Sequence, residues 1–215
     1  MTSQDALPLQ WPHRYGREDF IVGDCNKEAF EAVIQPDEWP IPVTLLLGPA
    51  AGGKTHLAHI FAEKHGASFI KDEEGIDKAL VEHPLFLVVD DADKIGNDEK
   101  LFHLFNSVLT RKARLLLVAG EEPQHWIKLP DLLSRIKAAH YIEMQNPDEE
   151  VIRLAYRKLF TERGLFVDDK VLDYLAVRTE RSFAGVLKNV DKLDRLALAN
   201  KKRVTIPLIA DSKLF

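Results

Sequence analysis

Cysteine is almost missing from this chain: Cys25 stands alone among 215 residues. No intramolecular disulfide can form, which excludes an extracellular disulfide scaffold. Long apolar runs are missing too. No stretch approaches the roughly 18 residues of a membrane-spanning helix, and the N-terminus has no apolar core of signal-peptide length. A membrane protein is thus excluded and a cytoplasmic setting is expected. Nor is there an excess of positive charge. Lys and Arg number 29 against 34 Asp and Glu, a net charge of -5 with a pI near 5.9. That balance argues against a protein whose main task is to coat nucleic acid. Internal repeats and low-complexity segments are absent. What is present is ordinary for a folded chain, with 46% hydrophobic and 29% charged residues. The length suffices for one sizeable core, or for a domain with a small satellite.

Residues 1 to about 19 carry Pro8, Pro12 and scattered charge and read as an extended arm. Beyond them, short wholly apolar runs alternate with helical segments. VTLLL (43–47), ASFI (67–70), LFLVVD (85–90), RLLLVAG (114–120) and HYIEM (140–144) predict five strands. Runs apolar on both faces, separated by helices, suit a parallel sheet sandwiched between helices. After Met144 the pattern changes. NPDEE (146–150) is a helix-start signal, with Asn146 as cap, Pro147 in the first turn and Glu149 reaching back. Helices are predicted over about 147–163, 169–178 and 182–200, the last from Phe183, Val186, Leu187, Val190 and Leu193 at helical spacing. The chain thus divides into an arm (1–19), an α/β unit (20–145) and a helical unit (146–215).

The chemistry lies in GPAAGGKT, Gly48, Pro49, Ala50, Ala51, Gly52, Gly53, Lys54 and Thr55, which fits G-x-x-x-x-G-K-[ST] in full. It follows a strand and opens a helix, where backbone N–H groups and the helix N-terminus bind phosphate. Lys54 is expected on the β and γ phosphates and the Thr55 hydroxyl on magnesium. The apolar run ending in Asp90, Asp91 and Asp93 places carboxylates beside that loop. Asp90 suits the magnesium shell and Asp91 the orientation of water, whereas Asp93 suits a solubilising acidic loop. Arg135, after a short helical stretch in LPDLLSRIKAAHY (129–141), can stabilise charge on a neighbouring molecule's γ-phosphate. His56 and His59 lie one turn apart but lack a third metal ligand. They read as packing or surface residues, His56 also adjoining the phosphate loop. Cys25 has no His partner nearby in sequence. Trp39 and Trp126 read as core or loop anchors, and KKR (201–203) as a solvated turn.

Together these features resemble the DnaA branch of the AAA+ ATPases, from about residue 14 to the end. FIVGDCN (20–26) resembles the segment that lines the adenine pocket in that branch, which implies nucleotide contacts from Ile21 and Val22. VVDDAD resembles its Walker B motif, with Asp in place of the usual Glu. LPDLLSR resembles the box ending in Ser134-Arg135 whose arginine acts across a subunit interface. Within the branch the sequence is most similar to the Hda family, the regulatory inactivators of DnaA. The resemblance implies an α/β P-loop AAA+ domain followed by a small three-helix lid, and implies that the initiator's N-terminal and C-terminal DNA-binding domains are absent. In their place QDALPL resembles the Q-x-x-L-P-L motif by which Hda docks on the DNA-polymerase sliding clamp. Gln4 supplies a hydrogen bond, Pro8 preorganises the backbone, and Leu7 and Leu9 fill an apolar pocket.

Two departures bear on mechanism. Gly120 occupies the position after the fourth strand where DnaA relatives carry a polar sensor, with Glu121 next. Gly185 stands at the lid's sensor-arginine position, with Arg181 one turn earlier. Both weaken hydrolysis in cis while the phosphate loop stays complete, so ADP or ATP with Mg2+ is expected to bind and turn over slowly. The resemblance then implies a clamp-docked regulator that presents Arg135 to ATP held by DnaA and stimulates hydrolysis there. Contacts at the nucleotide interface are implied, homotypic or not, while sequence-specific DNA binding is not. The competing readings are an autonomous P-loop ATPase or small-molecule kinase, and a loader-type AAA+ protein with another partner.

Overall fold

The computed structural model describes residues 15–200, 202–212 and 214–215. They form two compact units, Tyr15–Gln145 and Asn146–Phe215.

The larger unit is built on a five-stranded parallel sheet: β1 (Val43–Leu47), β2 (Ser68–Ile70), β3 (Phe86–Val89), β4 (Arg114–Val118) and β5 (His140–Glu143). The spatial order is β2-β3-β4-β1-β5, every neighbouring pair parallel. The five strands lie where the apolar runs predict them. Their lack of polar alternation follows from helices covering both faces. On one face Val43, Leu45 and Leu47 of β1 pack with Leu87, Val89, Leu115 and Leu117 under α3 (Glu73–Glu82), α4 (Asp98–Arg111) and α6 (Pro130–Lys137). On the other, Leu46, Val88, Leu116 and Val118 meet Leu57, Ile60 and Phe61 of α2 (Lys54–His65) and Ala29 and Val33 of α1 (Lys27–Ile34). Each fully buried Leu or Val contributes about 1.5–3 kcal/mol, so β1 and β4, buried on both faces, anchor the unit. Because strand order reverses at β1, a crevice opens outside its carboxyl end, where the Gly48–Thr55 loop begins.

Tyr15–Asp19, expected as the end of an extended arm, instead belong to this unit. Arg17–Asp19 form a 3-10 turn, and the Tyr15 ring stacks on His59 with centroids 4.2 Å apart. Trp39 is core, stacked on Phe61 and donating its indole N–H to the Ala32 carbonyl. A one-turn helix, α5 (Pro123–Trp126), follows β4.

The smaller unit holds α7 (Glu149–Glu162), α8 (Asp169–Arg178) and α9 (Phe183–Asn200), as expected, and adds a short α10 (Ile206–Asp211) opened by Thr205. The cap of α7 is Asp148 rather than Asn146. Its carboxylate accepts from Val151 N at 2.8 Å, and Pro147 precedes the helix instead of opening it. Asp caps as well as Asn. A buried polar triangle ties the three longer helices. The Tyr156 hydroxyl meets Thr179 Oγ1 at 2.6 Å, Asn189 Nδ2 donates to the Tyr156 hydroxyl at 2.8 Å, and Thr179 Oγ1 donates to Leu175 O. Arg153 adds ion pairs from α7 to Asp169 and Asp173 of α8. Among the described residues no helix is long and apolar enough to cross a membrane.

Candidate functional site

The phosphate loop runs from the end of β1 into α2, and its shape depends on missing side chains. A Cβ on Gly48 would lie 2.8 Å from Met144 Cβ, at the end of β5. Gly53, at φ 96°, would bring a Cβ within 3.0 Å of the Phe20 ring. The loop is therefore pressed between the β5 end and the segment carrying Phe20, a close approach only glycine permits. Phe20 also stacks on Phe30 and meets His56 edge-on.

The segment expected at the adenine pocket is held by one buried side chain. Asn26, 2% exposed, accepts from Gly23 N and donates to Ile21 O, both at 2.9 Å. Asn26 spends its amide on this turn and makes no cap bond to α1. Ile21 is half-buried in the turn and Val22 is exposed. His56 stands at the first turn of α2 with Nε2 2.9 Å from Gly16 O. Its ring is engaged in packing, so any contact of His56 with a nucleotide falls to its backbone.

Lys54 folds back over the loop and donates to Gly48 O at 2.8 Å and Pro49 O at 2.9 Å. Burial pushes its pKa down, and the charges of Asp93, Asp91 and Asp90 oppose that fall. Thr55 Oγ1, in the first turn of α2, donates to Asp90 Oδ1, just after β3, at 3.3 Å. Asp90, 6% exposed, has its pKa raised by burial, with the Thr55 bond working against the rise.

The arrangement fits a nucleotide with a divalent cation. Magnesium keeps several waters and takes one or two protein oxygens beside substrate phosphates. Thr55 and Asp90 offer that pair, and the described residues hold no cluster of three or more His, Cys, Asp or Glu that would point to an all-protein cage. The loop amides and the α2 N-terminus supply the anion cradle.

The two remaining acidic residues are placed otherwise than expected. Asp91, read as the water-orienting group, adopts φ 51° and pairs with Lys94 at 3.0 Å, its side chain 55% exposed. Asp93, read as a solubilising residue, turns inward and accepts from Gly120 N at 3.0 Å. The signal that could have found it is its spacing, three residues after Asp90 on the turn closing β3.

Arg135 lies near the C-terminal end of α6 with its guanidinium 5.1 Å from the Phe102 ring centroid, over α4. Among the described residues its side chain makes no ion pair and no hydrogen bond. The entry to α6 is fixed by Asp98, whose Oδ2 accepts from Lys128 N and Leu129 N at 2.6 and 2.8 Å. Neither Asp98 nor Phe102 is legible as functional in sequence.

In the smaller unit Gly185 explains itself locally. Its N–H donates to the Ser182 hydroxyl at 3.0 Å, and a Cβ there would stand 3.0 Å from Glu180 Cγ. Gln4, Leu7, Pro8 and Leu9 lie outside the described residues.

The Hda lid-domain family model matches residues 149–212. An uncharacterised protein of Haemophilus influenzae is 26% identical over 230 aligned positions, covering 97% of both chains. The chromosomal replication initiator protein DnaA of Helicobacter pylori is 26% identical over 198 positions, covering 80% of this chain and 44% of that protein. This chain thus spans less than half the length of the DnaA it resembles. Domain III of the Thermotoga maritima replication initiation protein DnaA superposes with a TM-score of 0.75 at 21% identity, covering 93% of this chain and 95% of that structure.

Proposed function

We propose that this chain, which resembles DnaA over most of its length and matches an Hda-type lid at residues 149–212, is a DnaA-related AAA+ protein and a cytoplasmic regulator of replication initiation that promotes hydrolysis of ATP bound to DnaA. It docks on the DNA-polymerase sliding clamp through Gln4, Leu7, Pro8 and Leu9. Its own site holds ADP or ATP on the Gly48–Thr55 loop, with Thr55 and Asp90 towards magnesium and Ile21 and Val22 beside the base.

The observation that carries the reading is Arg135. It is exposed, rests on Phe102 and has no carboxylate partner among the described residues. An arginine with no ion pair to break can reach phosphate charge on a partner without first giving up a carboxylate. Supplied in trans, such a group accelerates phosphoryl transfer by about a thousandfold or more.

The test is the decay of ATP prebound to DnaA, with clamp loaded on DNA. The chain should accelerate it, and a Leu7→Ala, Leu9→Ala variant should lose the effect. Clamp binding without any acceleration would sink the regulatory reading. The second reading, an autonomous ATPase, draws on the Thr55–Asp90 bond beside a complete phosphate loop. It requires steady turnover by the chain alone.

A further inference from the structure

We propose that Asp93, rather than Asp91, is the second carboxylate of the nucleotide site, a positioning residue that accepts from water beside a bound magnesium nucleoside triphosphate. The inference rests on the nucleotide reading above and sharpens it.

Four observations converge on this residue. Asp93 leaves the turn that closes β3 and reaches the end of β4, where Oδ2 accepts from Gly120 N. Its other oxygen, Oδ1, is buried and has no hydrogen-bond partner. A buried carboxylate oxygen without a partner is costly to keep, so this atom is an acceptor awaiting a donor. The Asp93 charge opposes the depression of the Lys54 pKa more strongly than that of Asp90 or Asp91, which sets it towards the phosphate-binding lysine. Asp91, meanwhile, spends its carboxylate on Lys94 in solvent.

Gly120 completes the case. A Cβ at that position would come within 3.3 Å of Asp93 Oδ2. The bare backbone at the end of β4 therefore makes room for a carboxylate delivered from the end of β3.

The experiment titrates the full chain with fluorescent ATP and ADP analogues, each with magnesium and with chelator. A carboxylate that receives a metal-bound water stabilises the magnesium triphosphate complex and repels the metal-free triphosphate. Asp93→Asn should therefore shrink the magnesium dependence of ATP-analogue affinity by roughly threefold or more, leaving the ADP analogue unchanged. Asp91→Asn should leave both unchanged. If Asp93→Asn proves unstable, Gly120→Ala, which displaces the carboxylate by a few tenths of an ångström, should shift the same ratio in the same direction. An unchanged ratio in Asp93→Asn, or a shift in Asp91→Asn instead, overturns the assignment while the nucleotide site stands. No binding of either analogue by the unaltered chain removes the site and this inference with it.

Discussion

The Arg135 guanidinium lies over the Phe102 ring, 5.1 Å from its centroid, and this contact joins the ends of two separate devices. Arg135 rides on α6, whose first turn is pinned to α4 by the Asp98 carboxylate. Phe102 stands on α4 itself, one turn beyond Asp98. One helix therefore fixes both where α6 begins and where its arginine rests. A ring face holds a guanidinium without neutralising it, so the arginine keeps its full charge for another molecule.

Arg135→Ala should abolish acceleration of DnaA-bound ATP hydrolysis, a loss of about a thousandfold or more. Its thermal unfolding midpoint should fall by no more than about a few degrees, because an exposed residue without an ion pair contributes little beyond its contact with the Phe102 ring. Arg135→Lys should not restore the effect, since an ammonium lacks the planar donor fork. Full stimulation by Arg135→Ala would show that the phosphate charge is met elsewhere.

Phe102→Leu keeps an apolar side chain on α4 but removes the ring face. At an exposed site such a contact is worth about 0.5–1 kcal/mol, so stimulation should fall roughly twofold to fivefold, with Phe102→Tyr close to normal. Clamp binding, measured in parallel, should not change. Equal activity of the Leu and Tyr variants would reduce the contact to packing.

Tyr156→Phe tests the buried triangle of the helical unit. The substitution removes one hydroxyl, so Asn189 Nδ2 loses its shorter acceptor and Thr179 Oγ1 loses one partner, leaving the longer Asn189–Thr179 bond and the Thr179–Leu175 bond. Buried groups left unpaired cost about 1–3 kcal/mol, which should lower the denaturation midpoint with an unchanged slope. A neutral result would mean that the existing Asn189 Nδ2 bond to Thr179 Oγ1, at 3.3 Å, suffices without the Tyr156 hydroxyl.

The strands were legible because a sheet covered on both faces has no polar alternation to disguise it, and VTLLL and RLLLV could hardly be anything else. The phosphate loop was legible because its glycines answer a local demand. Where sequence reading went astray, the deciding contact was remote. Asp91 and Asp93 are two residues apart and chemically identical, and only the Gly120 amide and Lys94, on opposite sides of the turn, separate their fates. Phe102 looks like any core-facing residue of an amphipathic helix until α6 is packed beside it. Tyr15 looks like part of an arm until His59 presents a ring to stack on.

His59 gives the last prediction, and its sign follows from its surroundings. The ring is stacked between Tyr15, at 4.2 Å, and Phe69, at 4.5 Å. Burial lowers its pKa below the ordinary 6.5, the Lys71 charge lowers it further, and Asp90 opposes them weakly. The folded chain therefore holds the neutral ring where the unfolded chain already takes a proton. Below pH about 6.5 the unfolded state binds more protons, so stability rises with pH through that window and is lost as pH falls. The loss ends once pH drops below the depressed folded value. Asp90, raised by burial, acts in the opposite sense at lower pH, so the two are separated by subtraction. His59→Phe keeps an aromatic ring in the stack and removes the titration. The drop in Tm between pH 7.5 and pH 5.5 should accordingly be smaller in His59→Phe than in the unaltered chain. An equal drop in both would mean that the stack tolerates an imidazolium, its two aromatic faces offsetting what burial costs.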